Sequence, residues 1–160
     1  VLASTDAFIC NSRPRRFGKS ITANMLAAYY SKGCDSSKMF EKLKISQSDG
    51  FKKHLNKYDV IQLDIQWCIN AAGGADQVVS YITEKTISEL QSIYPEVLTT
   101  KNQQTSLPET LAKINVATGN KFVVIIDEWD VLIRDMAADS KIQDEYISFL
   151  RGLFLSLIHI

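Results

Sequence analysis

Short apolar runs alternate with amphipathic stretches along this chain, and the order in which they do so predicts its elements. Ala7-Phe8-Ile9-Cys10 is an apolar run that ends at Asn11-Ser12 and Pro14, the pattern of a buried strand followed by a loop. A helix is expected directly afterwards, with Ile21, Met25, Ala28 and Tyr29 at helical spacing and Gly33 as its left-handed stop. Asp35-Ser36-Ser37 caps a short helix carrying Met39, Phe40 and Leu43, and a second short helical piece covers Phe51 to Leu55. The next strand is Tyr58 to Ile65, through Val60, Ile61, Leu63 and Ile65, and Gly73-Gly74 marks the break after it.

From Asp76 to Tyr94, Val78, Val79, Ile82, Leu90 and Ile93 fall on one stripe, which predicts a long amphipathic helix ended by Pro95. Thr99 to Thr105 reads as a loop. Ser106-Leu107-Pro108-Glu109 is a capping-box signal for a helix bearing Leu111 and Ile114 and closed by Gly119. Lys121 to Asp127 is the clearest strand, an aliphatic run ending in carboxylates, as expected of a central parallel strand buried on both faces. Ile142, Tyr146, Phe149, Leu150 and Leu153 define the face of a last helix. Strand, helix, strand, helices, strand, helix is the order of an α/β layered domain with a mainly parallel sheet.

Composition agrees with one soluble globular domain: 160 residues, 46% hydrophobic and 22% charged, which excludes intrinsic disorder. Eighteen basic side chains balance eighteen acidic ones, so no global field draws the chain toward nucleic acid or anionic lipid. The longest aliphatic and aromatic run inside the chain, Phe122 to Ile126, is far short of the roughly 20 residues a membrane helix needs. The start lacks the basic-then-apolar pattern of a secretory signal. It also lacks an initiator Met, so the native N-terminus is expected upstream. Cys10, Cys34 and Cys68 form no CxxC pair, which argues against a disulfide framework or a zinc site and for a reducing cytoplasm, each cysteine being a small packed residue.

The candidate chemistry starts at Gly18-Lys19-Ser20, the end of a GxxxxGKS/T phosphate-binding loop (Walker A) with Arg13 where the first glycine belongs. The tripeptide alone arises by chance in about one chain in ten of this length, so its setting carries the weight. It lies between a predicted strand and the first turn of a predicted helix, where backbone N–H groups and the helix dipole favour phosphate. Gly18 lets the backbone approach, Lys19 can reach the β and γ phosphates, and the Ser20 hydroxyl can ligate Mg²⁺. The alternative is a solvated helix start.

The second motif is Phe122 to Glu128, of the Walker B type. Asp127 would hold Mg²⁺ through water, and Glu128 would polarise the attacking water. A strand meeting solvent is the alternative here. Arg13, Arg15 and Arg16 make the loop basic and suit bidentate phosphate binding; a solvated loop with surface ion pairs would explain them too.

With these residues placed, the chain resembles bacterial AAA-ATPase-like proteins that often carry a C-terminal PD-(D/E)XK nuclease-like domain. The segments that carry the resemblance are Ser12 to Ser20, Leu26 to Ser36, His54 to Trp67, Phe122 to Asp135 and Glu145 to Phe154, and the arginine-rich loop variant belongs to the family pattern. The resemblance implies a P-loop NTPase-like three-layer α/β sandwich, incomplete at the C-terminus, with residues 1–155 as the partial domain and 156–160 as a truncated or non-native tail. It implies ATP and Mg²⁺ as cofactors. Arg15, Arg16, Phe17, Gly18, Lys19, Ser20 and Ile21 would contact nucleotide, Ser20 and Asp127 metal, and Lys19 and Glu128 would act in catalysis. A further strand, between the loop strand and the Asp127 strand, is expected beyond this chain.

The leading functional expectation is therefore a cytoplasmic, Mg-dependent ATPase whose nucleotide state is coupled to an attached effector, or to nucleic acid through a nuclease-like domain outside the chain, with no membrane partner. A nucleotide-held switch with little turnover is the second, because no sensor or arginine finger is identifiable. A small-molecule kinase is the third. Trp67 and Trp129 read as core or rim packing rather than base-stacking platforms, and Asp64 and Asp130 stay open between site and surface roles.

Overall fold

Two strands, β1 (Asp59–Asp64) and β2 (Phe122–Asp127), pair as a parallel sheet, and helices supply most of the remaining structure. The structure, a computed structural model, describes residues 9–10, 18–99, 106–135 and 139–158, with side chains as far as 155. The chain divides into two units. One comprises residues up to Gln62 with Lys121–Asp127, and the other Leu63–Asn120 with the residues from Glu128 onward.

In the first unit α1 (Lys19–Tyr30) packs against β2. Its buried side chains are Tyr29 and Tyr30, with Leu26 and Ala28 partly covered. The expected face is corrected at its N-terminal half, since Ile21 and Met25 are exposed. The stop is corrected as well. Helix α1 ends at Tyr30, before extended Ser31, and Gly33 is not left-handed. The reason lies in the chain that returns beside it: Asn56 and Tyr58 donate their backbone N–H to the carbonyls of Tyr29 and Tyr30, at 2.7 and 2.9 Å. The Ser31 to Tyr58 bridge is parallel. Two short helices, α2 (Ser37–Phe40) and α3 (Phe51–His54), flank a 3₁₀ turn at Lys44–Gln47. Phe40 and Phe51 close an aromatic cluster with Tyr29 and Tyr30, in which Tyr29 meets Tyr30 edge-on at 4.8 Å and donates its hydroxyl to the Phe51 carbonyl at 2.7 Å.

Strand β1 alternates buried Ile61 and Leu63 with exposed Gln62 and Asp64, whereas every residue of β2 is half-buried. The expectation that β2 is buried on both faces is thus not met among the described residues, where β1 is its one neighbouring strand.

The second unit is helical: α4 (Ile65–Ala72), α5 (Val78–Ile93), α6 (Leu107–Thr118), α7 (Val131–Asp135) and α8 (Ser140–Ile158). Helices α5, α6 and α8 pack on one another, and α4 on α5, around Ile65, Ile82, Leu111, Ile114, Leu132 and Tyr146. The capping box forms as expected, with Glu109 N–H donating to Ser106 Oγ at 3.4 Å and Ser106 N–H to Glu109 Oε2 at 3.3 Å. Gly119 ends α6 with φ 72°, a conformation costly for a side chain with Cβ. The α5 stripe is Val78, Ile82, Thr86 and Leu90, four residues apart; Ile93 shares that side of the helix but is its last residue and is exposed. The Gly73-Gly74 break holds, with Gly73 as a left-handed C-cap at φ 84°, but helix α4 lies ahead of it and takes Ile65 from the expected strand, because Asp64 caps α4 by accepting from the Trp67 N–H at 2.9 Å.

Candidate functional site

The geometry begins at Gly18. It stands at the N-cap of α1 with φ 73°, and a Cβ placed there would meet nothing within 4 Å. A left-handed residue ahead of a helix is best occupied by glycine, and the open space beside it leaves the backbone approachable. Among the described residues no side chain caps α1, and no acidic residue occupies its first turn, so no described carboxylate of that turn neutralises the positive end of the helix. Thr22 returns its N–H and its hydroxyl to the Gly18 carbonyl, at 2.9 and 3.0 Å, which fixes the first turn. Lys19, half-buried, and Ser20 and Ile21, both exposed, are the residues of that turn.

Arg13, Arg15, Arg16 and Phe17 lie outside the described residues, as do Ala7 and Phe8 of the expected first strand. Its remaining residues, Ile9 and Cys10, are exposed and in no strand, which corrects that expectation over the part described. They have no ladder partner among the described residues, and an extended segment without one is not a strand.

Asp127 is the last residue of β2 and is half-buried. It belongs to the same unit as Lys19 and Ser20. Glu128 follows it in a left-handed conformation with φ 51°, unusual for a residue with a long side chain and typical of functional turns. Its carbonyl accepts from the Val131 N–H at 3.1 Å, closing a turn that leads into α7.

Around Glu128 the second unit sets a small charge network. Arg134 Nε lies 2.9 Å from Asp135 Oδ1, and Nη1 lies 3.2 Å from Asp130 Oδ2. Hydrogen bonding to Asp135, then the charges of Asp135, Asp130 and Glu128, hold the guanidinium above its ordinary range. Sequence reasoning missed Arg134, although Asp130 four residues before it on a helical segment was the available signal. Asp64, left open in the sequence, serves as the cap of α4.

Trp67 and Trp129 are both exposed, which removes the core half of the core-or-rim reading. Trp67 tilts over Tyr81 with ring centres 6.2 Å apart, and the Trp129 carbonyl accepts from the buried Tyr146 hydroxyl at 2.9 Å. Burial pushes the Tyr146 hydroxyl well up. It also raises the Cys68 thiol, with Asp64 adding to the effect. Cys68 is buried as expected, whereas Cys10 and Cys34 are exposed.

Among the described residues no group of three or more His, Cys, Asp or Glu side chains could hold a metal by itself. No described helix is long and apolar enough to cross a membrane. No curated protein matches the chain, and no solved structure does. A family described as Predicted AAA-ATPase matches residues 1–159. That match spans the glycine-started helix and the aspartate-ended strand alike, and the chain belongs to the AAA-ATPase-like family.

Proposed function

We propose that this chain is the nucleotide-binding part of a P-loop ATPase with the three-layer sandwich of that class, and that it binds and hydrolyses Mg-ATP. The observation that carries the reading is the start of α1: a left-handed glycine with, among the described residues, open space at its Cβ position and no side-chain cap, and Lys19-Ser20 in the first turn. Such a helix start offers unpaired N–H donors and a positive dipole end to an anion, and Lys19 adds a mobile charge for the β and γ phosphates. Ser20, Ile21 and the loop residues Arg15, Arg16 and Phe17 complete the nucleotide contacts in this reading.

Mg²⁺, when bound, neutralises charge on the phosphate oxygens. The donor set fits it, since a serine hydroxyl and a carboxylate are hard oxygen ligands and Mg²⁺ keeps several waters of its own. Ser20 and Asp127 are the residues that would hold it. Glu128 would accept a proton from the attacking water. Asp130 is a poorer candidate for that role, being paired with Arg134 at 3.2 Å.

One observation favours a slower, switch-like protein as the second reading. Arg134 lies in electrostatic reach of Glu128, and a guanidinium beside the carboxylate competes with an attacking water for its oxygens. Coupling of nucleotide state to an attached effector or to nucleic acid is part of the proposal. Steady-state ATP and GTP hydrolysis, with and without DNA, measures both the turnover and that coupling.

The test of the site is calorimetric titration of Mg-ATP into the wild-type chain and Lys19→Ala. Affinity is expected to fall by about 10- to 100-fold, the worth of a hydrogen bond to a charged group. Unchanged affinity rejects the loop assignment.

A further inference from the structure

The first unit carries a second surface that the nucleotide reading does not use, in the segment from α2 to α3. Met39, Leu43 and Ile45 are exposed there by 64%, 39% and 47%. Lys38, Lys42, Lys44, Lys52 and Lys53 are exposed around them, against Glu41 and Asp49 within the segment and Asp35 at its edge in electrostatic reach of Lys38, in a chain whose charges balance as a whole. None of these lysines lies within salt-bridge distance of a described carboxylate.

The segment is held firmly although its apolar side chains face water. Phe40 and Phe51 are buried in the aromatic cluster, so the residues next to them in sequence are turned outward. Asp35 Oδ1 accepts from the Ser37 N–H at 2.9 Å. Ser46 Oγ donates to the Leu43 and Glu41 carbonyls at 2.8 and 2.9 Å. The Ser48 and Phe51 N–H groups continue the chain of bonds to the Ile45 and Ser48 carbonyls, and α3 packs on the 3₁₀ turn. Five residues separate Met39 from Ile45, and the chain turns between them, the Leu43 N–H donating to the Phe40 carbonyl at 2.9 Å and the Ser46 N–H to the Leu43 carbonyl at 3.0 Å. An apolar patch presented on a preformed frame needs little ordering when it binds.

We infer that residues 38–53 form a docking surface for an acidic protein segment that carries aliphatic side chains. Charge complementarity selects the acidic partner, since five lysines have no described carboxylate within salt-bridge distance. The apolar residues select an aliphatic one, with Met39 as the adaptable contact. Single-stranded nucleic acid is a poorer fit, because the aromatic rings that would stack on bases are buried inside the cluster. A membrane surface is a poorer fit because α2 and α3 are four residues each, too short to lay an amphipathic helix in the interface. This inference stands apart from the nucleotide reading and survives its failure.

The experiment is fluorescence anisotropy of a labelled peptide of about 16 glutamate and leucine residues, titrated with the full chain. Saturable binding that weakens with salt is expected. Combined Lys38→Ser, Lys42→Ser and Lys44→Ser substitution should weaken it about tenfold, and Met39→Ser, Leu43→Ser and Ile45→Ser together at least as much. Lys85→Ser, Lys113→Ser and Lys141→Ser make the same charge change elsewhere on the surface and should leave affinity within about twofold. All nine positions are exposed, and circular dichroism of each variant verifies that the fold is retained. No saturable binding of the peptide, equal weakening by the remote lysine set, or tighter binding of an oligothymidylate or of phosphatidylserine vesicles would each overturn the inference.

Discussion

At its N-terminus α1 opens on a left-handed glycine with no side-chain cap among the described residues, whereas at its C-terminus the last carbonyls are met from several directions at once. Asn56, itself left-handed at φ 55°, donates its side-chain amide to the Ala28 and Ser31 carbonyls at 3.1 and 2.7 Å, and its Oδ1 accepts from the Ser36 N–H at 3.1 Å. The Ser36 hydroxyl adds a bond to the Ala28 carbonyl at 2.7 Å. Asn56 thus does from a distant part of the chain what a C-terminal glycine does locally. The contrast is instructive because both ends face the same requirement, orphan backbone groups that must be satisfied. The end that holds the unit together satisfies them with its own side chains, and the end that would receive a ligand leaves the donors to the ligand.

The comparison matters for function only if the chain turns over nucleotide as proposed, and Glu128→Gln tests that hydrolysis with the largest expected effect. Turnover should fall by about 10² to 10⁴ while Mg-ATP binding is retained. Gln keeps the Cβ and the left-handed strain, so a rate change reports the lost basic oxygen and not a relaxed backbone. Asp127→Ala should lose metal-dependent binding and turnover together, which steady-state kinetics across Mg²⁺ concentrations would show.

Next in size is Asn56→Ala at the closed end. It takes the side-chain partner from the Ser31 carbonyl and the Ser36 N–H and one of two partners from the Ala28 carbonyl, and should cost about 1–3 kcal/mol of stability, read by urea denaturation. Nucleotide affinity should not change. Lys19→Ala should show the reverse, a loss of affinity with a thermal midpoint that stays in place. If both substitutions move both readouts, the two ends are not separable in the way described.

The smallest effect is expected of Gly18→Ala. The φ of 73° costs a residue with Cβ about 1 kcal/mol or slightly more, although the space beside it is open. Stability should fall by that amount in thermal denaturation. An unchanged or raised midpoint would mean that the left-handed start is not maintained in solution.

Much of the helical and strand order could be read from the chain because local signals and packing agree there. Ser106 and Glu109 make the capping box their spacing announces, and Gly119 closes α6. The aliphatic run at Phe122 gives β2. Legibility ended where a distant partner decides the outcome. The end of α1 is set by residues 56–58 and not by Gly33, and α4 depends on an aspartate that also ends a strand. Exposed Ile21 and Met25 share the spacing of buried residues, so periodicity alone could not tell them apart. Of the candidate site, Gly18, Lys19, Ser20 and Asp127 could be named from motifs with a chemical reason, and they stand at the start of α1 and the end of β2. Arg134 was not read, although its three carboxylates lie within six residues of it, because their pairing with it needs the turn and short helix that bring Asp130 and Asp135 to its guanidinium.

Burial of Cys68 has an experimental consequence of its own. The thiol is 5% exposed and desolvation raises its pKa, so it is both shielded and short of thiolate, the reactive form. Alkylation of Cys68 therefore requires the second unit to open, and its rate in native buffer is a clock for that opening. Exposed Cys34 reacts without any such event. The ratio of the two labelling rates, followed by mass spectrometry, turns the chain's own cysteines into a gauge of local unfolding that needs no introduced probe.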